Sequence, residues 1–135
     1  MSIVLTDHDK QTLRTAAYGA VSLLAAAGAA GGSPHRIATD GSIALASATG
    51  PVGHVLADQS AVKVTGKSVA EIADQVLPAL VASVVLLEKQ DPAEADNFRS
   101  IVDVAIQAAT GTGRGEPSPT MAAITRQITT ALTTA

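Results

Sequence analysis

The most apolar stretch of the chain is an uncharged run, Val76–Leu87, in which valine and leucine predominate. A helix that is apolar on every side is a buried helix, either at the centre of a bundle or against a partner. The pattern therefore predicts that this run lies in the central helix of the fold. A proline inside a helix removes one backbone hydrogen bond and clashes with the carbonyl four residues earlier, so we expect this helix to be kinked or broken near Pro78.

The N-terminal part of the chain carries a second helical pattern. Thr6 or Asp7 can cap the start of a helix, and acidic side chains in the first turn suit the helix dipole. We expect this helix to run from about Asp7 to Ala27 and to end near Gly28. Its apolar positions have the spacing of one helix face; they are Leu13, Ala17, Ala20, Val21 and Leu24.

Capping signals mark the start of the central helix and of the helix that follows it. Ser68 and Glu71 have the spacing of a capping box, which opens the central helix and lets it run to about Lys89. The next helix begins after Asp91, with proline at its first position, and ends at Gly111. Its apolar stripe consists of Phe98, Ile101, Val102, Ala105, Ile106 and Ala109.

The last helix is predicted to begin at Ser118 and Pro119, after a glycine-rich loop over residues 112–117. Threonine is a poor helix former, so this helix should fray from Thr129 onward. Its inner face takes one residue from each of three neighbouring pairs, which are Ala123 or Ile124, Gln127 or Ile128, and Ala131 or Leu132.

The segment between the first and the central helix gives a mixed signal. We expect residues 29–39 to form a loop, because glycine, serine and proline cluster there. A short helix should follow, capped by Thr39 or Asp40 and ended by Gly50. Its apolar positions are Ile43, Leu45 and Ala48.

A strand is an alternative in this segment. Residues 42–48 also alternate between apolar and polar side chains, and residues 61–65 are the available partner, so helix, strand and loop all stay open for these two stretches. Pro51 favours another short helix to about Asp58. Residues 59–67 are expected to form a connector.

The composition indicates that these helices form a single all-α domain over residues 1–135. Apolar residues make up 47% of the chain but aromatic residues only 1%, and alanine is the commonest residue. A core of small side chains gains little buried area per residue, so it must gain by close approach of helix backbones, toward the short end of the ~8–10 Å range. We therefore predict a compact bundle of about five helices.

From Asp91 onward the chain also resembles a group of uncharacterised small bacterial proteins. In that group a Pro-x-Glu-Ala helix start leads to an aromatic residue, an apolar helix, a glycine-rich loop and a short terminal helix capped by serine. The resemblance covers roughly the last third of the chain; the matching residues are Pro92, Glu94, Ala95, Phe98, Ile101, Gly111, Gly113, Gly115, Ser118 and Ile124. It implies an all-helical fold and no particular activity.

Charge and cysteine content exclude several classes of function. Nine basic and twelve acidic residues give a formal net charge of -3, and neither sign forms a block. Nucleic-acid binding usually needs a basic face and often aromatic stacking platforms, so we expect no nucleic-acid partner. The chain has no cysteine, and therefore no disulfide, thiolate nucleophile or cysteine-based zinc site.

Residues 15–34 lack charge, which raises the question of a membrane span. Alanine, glycine and serine dominate this stretch, and Asp7 and Asp9 precede it, so the pattern favours neither a membrane helix nor a signal peptide. We expect a cytoplasmic protein without a membrane partner.

Few residues suggest chemistry, and we predict no catalytic set and no cofactor. Asp7, His8 and Asp9 are the densest group of possible metal ligands, but adjacent helical residues point in different directions and helix capping accounts for both acids. Neither glycine-rich loop matches a phosphate-binding fingerprint. Candidate anion contacts are His35 and Arg36 in the first loop, Arg114 in the second, and His54 near an expected helix N-terminus.

The leading functional hypothesis is a non-enzymatic helical interaction module that self-associates as a homodimer. About five modest helices should not cover Val76–Leu87 on all sides, and surplus apolar surface marks an interface. The candidate interface or pocket residues are Val81, Val84, Val85, Leu86 and Val104. One alternative is a small apolar ligand bound between the first, central and following helices. The other is a metal-dependent enzyme that uses His8, His35 or His54.

Overall fold

The computed structural model describes residues 4–28, 34–57, 68–110 and 119–134. These residues form six α-helices and contain no strand, so the predicted all-α bundle is confirmed. The helices are α1 (Asp7–Ala27), α2 (Pro34–Ala46), α3 (Gly50–Leu56), α4 (Val69–Gln90), α5 (Pro92–Thr110) and α6 (Pro119–Thr134).

Helix α1 is the most enclosed helix of the bundle. It packs against each of the other five helices, and most of its residues from Ala16 to Leu24 are buried. Alanine and glycine make this possible, because a helix without large side chains can be approached closely from several directions. Helix α1 therefore takes the enclosed position that the sequence suggested for the apolar run Val76–Leu87.

Helix α4 carries that run and is covered on one side. It packs mainly against α1 and also against α5 and α6. Val76, Leu80, Val84 and Leu87 are fully buried at helical spacing. The helix runs through Pro78 without a break. Pro78 lies on the exposed side, so the buried apolar contacts of the opposite side hold both halves of α4 in one helix.

The helix starts follow the predicted caps. Thr6 and Asp9 form a capping box, in which the Asp9 amide donates to Thr6 Oγ1 (3.0 Å) and the Thr6 amide donates to Asp9 Oδ2 (3.1 Å). The Glu71 amide donates to Ser68 Oγ at the start of α4 (3.2 Å). Asp91 Oδ1 accepts from the Ala93 amide at the start of α5 (3.0 Å).

The segment around α2 departs from the prediction. Helix α2 already begins at Pro34, so the predicted loop over residues 29–39 is wrong for its second half. Proline fits the first turn of a helix, where its missing N–H would have no partner. The strand alternative for residues 42–48 is also wrong, because residues 42–46 are helical. Residues 61–65 lie outside the described residues.

Candidate functional site

The outer face of α4 is apolar and open to solvent. Between Asp74 and Glu88 the helix carries no charge on any side. Pro78, Ala82 and Val85 are exposed on the side of the helix opposite its buried residues. The expectation that Val76–Leu87 is shielded all round is therefore wrong for this side, whereas the expectation that the bundle leaves part of it uncovered is confirmed.

A groove runs along this outer face between α4 and α6. Its volume is about 630 Å³, and it is open along the surface of the bundle. Alanines on α6 opposite branched side chains on α4 leave the gap unfilled. The lining residues are Leu77, Pro78 and Val81 from α4, and Ala123, Arg126, Gln127, Thr130 and Ala131 from α6. We call the outer face of α4 together with this groove the α4–α6 face.

Arg99 fixes α6 against α4 at one end of the groove. Its Nε donates to the Leu132 carbonyl near the C-terminus of α6 (2.9 Å). Its guanidinium also pairs with Glu88 on α4 (3.0 Å) and with Asp96 on α5 (2.7 Å). One half-buried arginine thus joins three helices, and it satisfies a carbonyl that a helix end leaves without an intrahelical partner.

The structure brings some of the predicted interface residues together and separates others. Val81 and Val85 lie on the α4–α6 face, where Val85 is 38% exposed. Val84 is fully buried in the core and therefore does not line the α4–α6 face. Leu86 is half-buried and packs against the core on the other flank of α4. Each side chain of α4 is turned by about 100° from its neighbour, which separates Val84 from Val85.

Val104 belongs to a different depression, between α2 and α5. It is 55% exposed and lines a shallow volume of about 250 Å³ together with Ala48 and Asn97. Ile43, which is 60% exposed, lies on α2 one turn before Ser47, another lining residue. This depression shares no lining residue with the α4–α6 groove.

The tertiary structure decides which α6 residues of the three predicted pairs face the core and which line the groove. Four members of the three predicted pairs are buried, namely Ile124, Ile128, Ala131 and Leu132. Ala123 and Gln127 instead face the groove. The sequence pattern, in which each isoleucine follows a smaller or polar residue, indicates which α6 residues face the core. It does not indicate which helix lies beside Ala123.

The structure describes the side chains of two predicted anion contacts, Arg36 and His54. Arg36 is exposed in the first turn of α2, while the His35 side chain and Arg114 lie outside the described residues. His54 is in the last turn of α3, so its expected place near a helix N-terminus with free amides is wrong.

His54 lines a depression together with two basic residues of α1, a neighbourhood that the sequence pattern did not indicate. His54, Lys10 and Arg14 line a depression of about 300 Å³ between α1 and α3. Arg14 Nε donates to the Val55 carbonyl (3.0 Å), and the Tyr18 hydroxyl donates to the Leu56 carbonyl. Arg14 therefore caps the C-terminal end of α3, and this hydrogen bond holds its side chain in place.

Polar groups inside the described part of the bundle are used structurally. Ser83 is the buried polar residue of the core, and its hydroxyl donates to the Ala79 carbonyl of the preceding turn (2.7 Å). Within the described ranges, histidine, aspartate and glutamate form no group of three suited to a metal ion. His8 and His54 are both exposed. The metal-dependent enzyme stays a prediction.

Among the described residues, α4 is the one helix whose length and composition suffice to cross a bilayer. This indication is weak by itself, because the core helix of a water-soluble bundle meets the same criterion. Comparison of the chain with known protein families, with functionally characterised proteins and with experimentally solved structures gives no match. The resemblance of the last third to small bacterial proteins therefore stays a prediction.

Proposed function

We propose that the protein is a non-enzymatic, cytoplasmic helical interaction module that self-associates through the α4–α6 face. The observation that carries the proposal is an exposed helix surface without charge, from Pro78 to Val85, beside an open apolar groove. Contiguous exposed apolar surface of this kind costs solvation free energy in a monomer and marks contact sites.

The polar residues of the groove suit a protein partner. Arg126 and Gln127 line the groove on α6, with side chains that can hydrogen-bond to backbone or side-chain groups of a second chain. An apolar centre bordered by an arginine and amide groups is the usual composition of a protein interface.

The size of the face predicts a weak complex. Fifteen residues of helix span about 22 Å, and two adjacent helices are about 20 Å wide. The area given by this length and width is below the roughly 800 Å² that each partner buries in a standard interface. We therefore expect dissociation constants on the order of 10–100 µM, in the range of transient assemblies.

The burial of one face of α4 inside the bundle favours a water-soluble bundle and disfavours a membrane-spanning α4. Val76, Leu80 and Leu87 are fully buried. For α4 to enter a bilayer these contacts would have to open, and α1 would lose its main partner. Each buried side chain of this size contributes about 1.5–3 kcal/mol, so opening the bundle costs several kcal/mol.

Sedimentation velocity across a concentration series tests the proposal. The wild-type chain should form dimers as its concentration passes through tens of micromolar. Val85→Glu places a charge on the α4–α6 face and should leave a monomer with an unchanged circular dichroism spectrum. Val104→Glu is the matched control, an exposed valine on another face, and should dimerise like the wild type. A wild-type chain that stays monomeric at 200 µM contradicts the proposal.

A small apolar ligand is the second candidate occupant of the groove. Its volume of about 630 Å³ falls within the 300–1,000 Å³ typical of ligand pockets. The groove is open along the surface, whereas ligand sites bury most of the bound molecule, and this favours the protein partner. Native mass spectrometry of freshly purified protein distinguishes the two: a bound small molecule adds a discrete mass to the monomer, while self-association doubles it.

A further inference from the structure

We infer that the partner at the α4–α6 face is a second copy of the chain whose α4 packs antiparallel to the first, about a two-fold axis between Val81 and Ala82. This inference rests on the proposed function and adds the orientation and register of the two helices. It follows from the order of charged and apolar residues along the exposed side of α4.

The exposed side of α4 has an acid at one end and a base at the other. Asp74 and Lys89 are both exposed and enclose the apolar residues Pro78, Ala82 and Val85. All five positions fall within an arc of about 80° at 100° per residue, so they form one stripe along the helix. The ion pairs of Arg99 use Glu88 and Asp96 and involve neither Asp74 nor Lys89, and both of these side chains are exposed to a partner.

In an antiparallel pair about the proposed axis, the acidic end of each α4 lies beside the basic end of the other. Asp74 then lies opposite Lys89 of the partner subunit, and Pro78 lies opposite Val85 of the partner subunit. The two-fold axis repeats both contacts, so the apolar centre is closed by an ion pair at each end. Antiparallel helices also bring opposite ends of their macrodipoles together.

Other arrangements place like or unmatched groups together. A parallel pair puts Asp74 opposite Asp74 of the partner subunit and repeats the repulsion at Lys89. A slide by one turn in one direction puts Asp74 opposite Val85 of the partner subunit. A slide in the other direction puts Lys89 opposite Pro78 of the partner subunit. A charge that is buried against apolar groups without a counter-ion is costly, so these registers are disfavoured.

The same charges argue against a membrane surface as the occupant. Asp74 and Glu71 are exposed at one end of the face, and the chain carries a net charge of -3. Helices that lie on anionic membranes carry lysine and arginine along their polar face. Charge complementarity therefore favours a second copy.

Disulfide trapping tests the register, because the chain has no cysteine of its own. In the antiparallel dimer, Asp74→Cys chains mixed with Lys89→Cys chains should form a disulfide-linked dimer on mild oxidation. A dimer of either variant alone should form no disulfide. Its two cysteines, one on each subunit, lie about 22 Å apart along the helices, far beyond the roughly 7 Å between the Cα atoms of a disulfide. Self-linking of Asp74→Cys alone would show a parallel pair and overturn the register.

Charge reversal gives an independent test by sedimentation. Asp74→Lys and Lys89→Glu should each raise the dimer dissociation constant about tenfold at low salt, since each turns two symmetry-related attractions into repulsions. An equimolar mixture of the two variants restores complementarity at both ends and should regain wild-type affinity. Asp103→Lys, an exposed acid on α5, is the control and should have no effect.

The outcomes separate this inference from the proposed function. A dimer without disulfide trapping in the mixture, or without rescue by mixing, overturns the register and leaves self-association standing. A monomeric wild type overturns both. If that monomer co-sediments with phosphatidylcholine–phosphatidylglycerol vesicles, the α4–α6 face is a membrane-binding surface instead.

Discussion

Replacement of Gly41 by alanine provides a sharp test of the packing between α1 and α2. Gly41 is buried within α2, and a Cβ atom built there would lie 2.7 Å from Val21 Cγ1 and 2.8 Å from Val21 Cγ2. Carbon atoms in van der Waals contact are about 3.5–4.0 Å apart. The two helices therefore approach too closely for any side chain at this position.

Two opposing effects set the size of the change. In a helix interior, glycine to alanine is favourable by about 0.5–1 kcal/mol. Val21 is 2% exposed and β-branched, so it is held in one rotamer and cannot turn away. Overpacking of this kind costs about 1–3 kcal/mol. We expect Gly41→Ala to destabilise the protein by about 1–2 kcal/mol and to lower Tm by about 3–6 °C.

Chemical denaturation of a double-mutant cycle measures the contact directly. Val21→Ala alone should cost about 2 kcal/mol, from two lost methyl groups and a small cavity. In the Val21→Ala background, Gly41→Ala should become stabilising, so the two changes are coupled by about 2 kcal/mol. Thr39→Ala, on the exposed side of α2, is the control and should stabilise by about 0.5 kcal/mol. If Gly41→Ala stabilises as much as Thr39→Ala, the close approach is refuted.

Three further substitutions test other parts of the packing, each by thermal or chemical denaturation. Gly53→Ala should cost about 3 kcal/mol or more, because the new Cβ would lie 2.5 Å from the backbone carbonyl of Ala48, which cannot rotate aside; a change below 1 kcal/mol would contradict this. Arg99→Met should cost about 1–2 kcal/mol, because it removes the ion pair with Glu88 and the hydrogen bond to the Leu132 carbonyl at the end of α6. Most of this loss should remain in 1 M NaCl, because salt does not screen the hydrogen bond to the carbonyl. Pro78→Ala should stabilise by about 1–2 kcal/mol, since it restores a hydrogen-bond donor on an exposed helix face; an unchanged or lower Tm would show that the proline fits α4 without cost.

Local signals in the sequence determined where most helices begin. Thr6, Ser68 and Asp91 cap α1, α4 and α5 as predicted, because a cap is a contact between residues two or three positions apart. The start of α2 was misplaced for a related reason: Pro34 suits both a loop and the first turn of a helix, and its local sequence does not distinguish the two. Residues 42–46 belong to α2, which packs against α1 and α5.

The sequence also determined that the run Val76–Leu87 has more apolar surface than the bundle can cover, since its composition is apolar all round. Only the tertiary structure decided which side stays open. Val84 is buried and Val85 is exposed, although they are neighbours of the same residue type. Burial along a helix depends on the directions from which α1, α5 and α6 approach, and those directions are set by contacts between residues far apart in the chain, which no local pattern encodes.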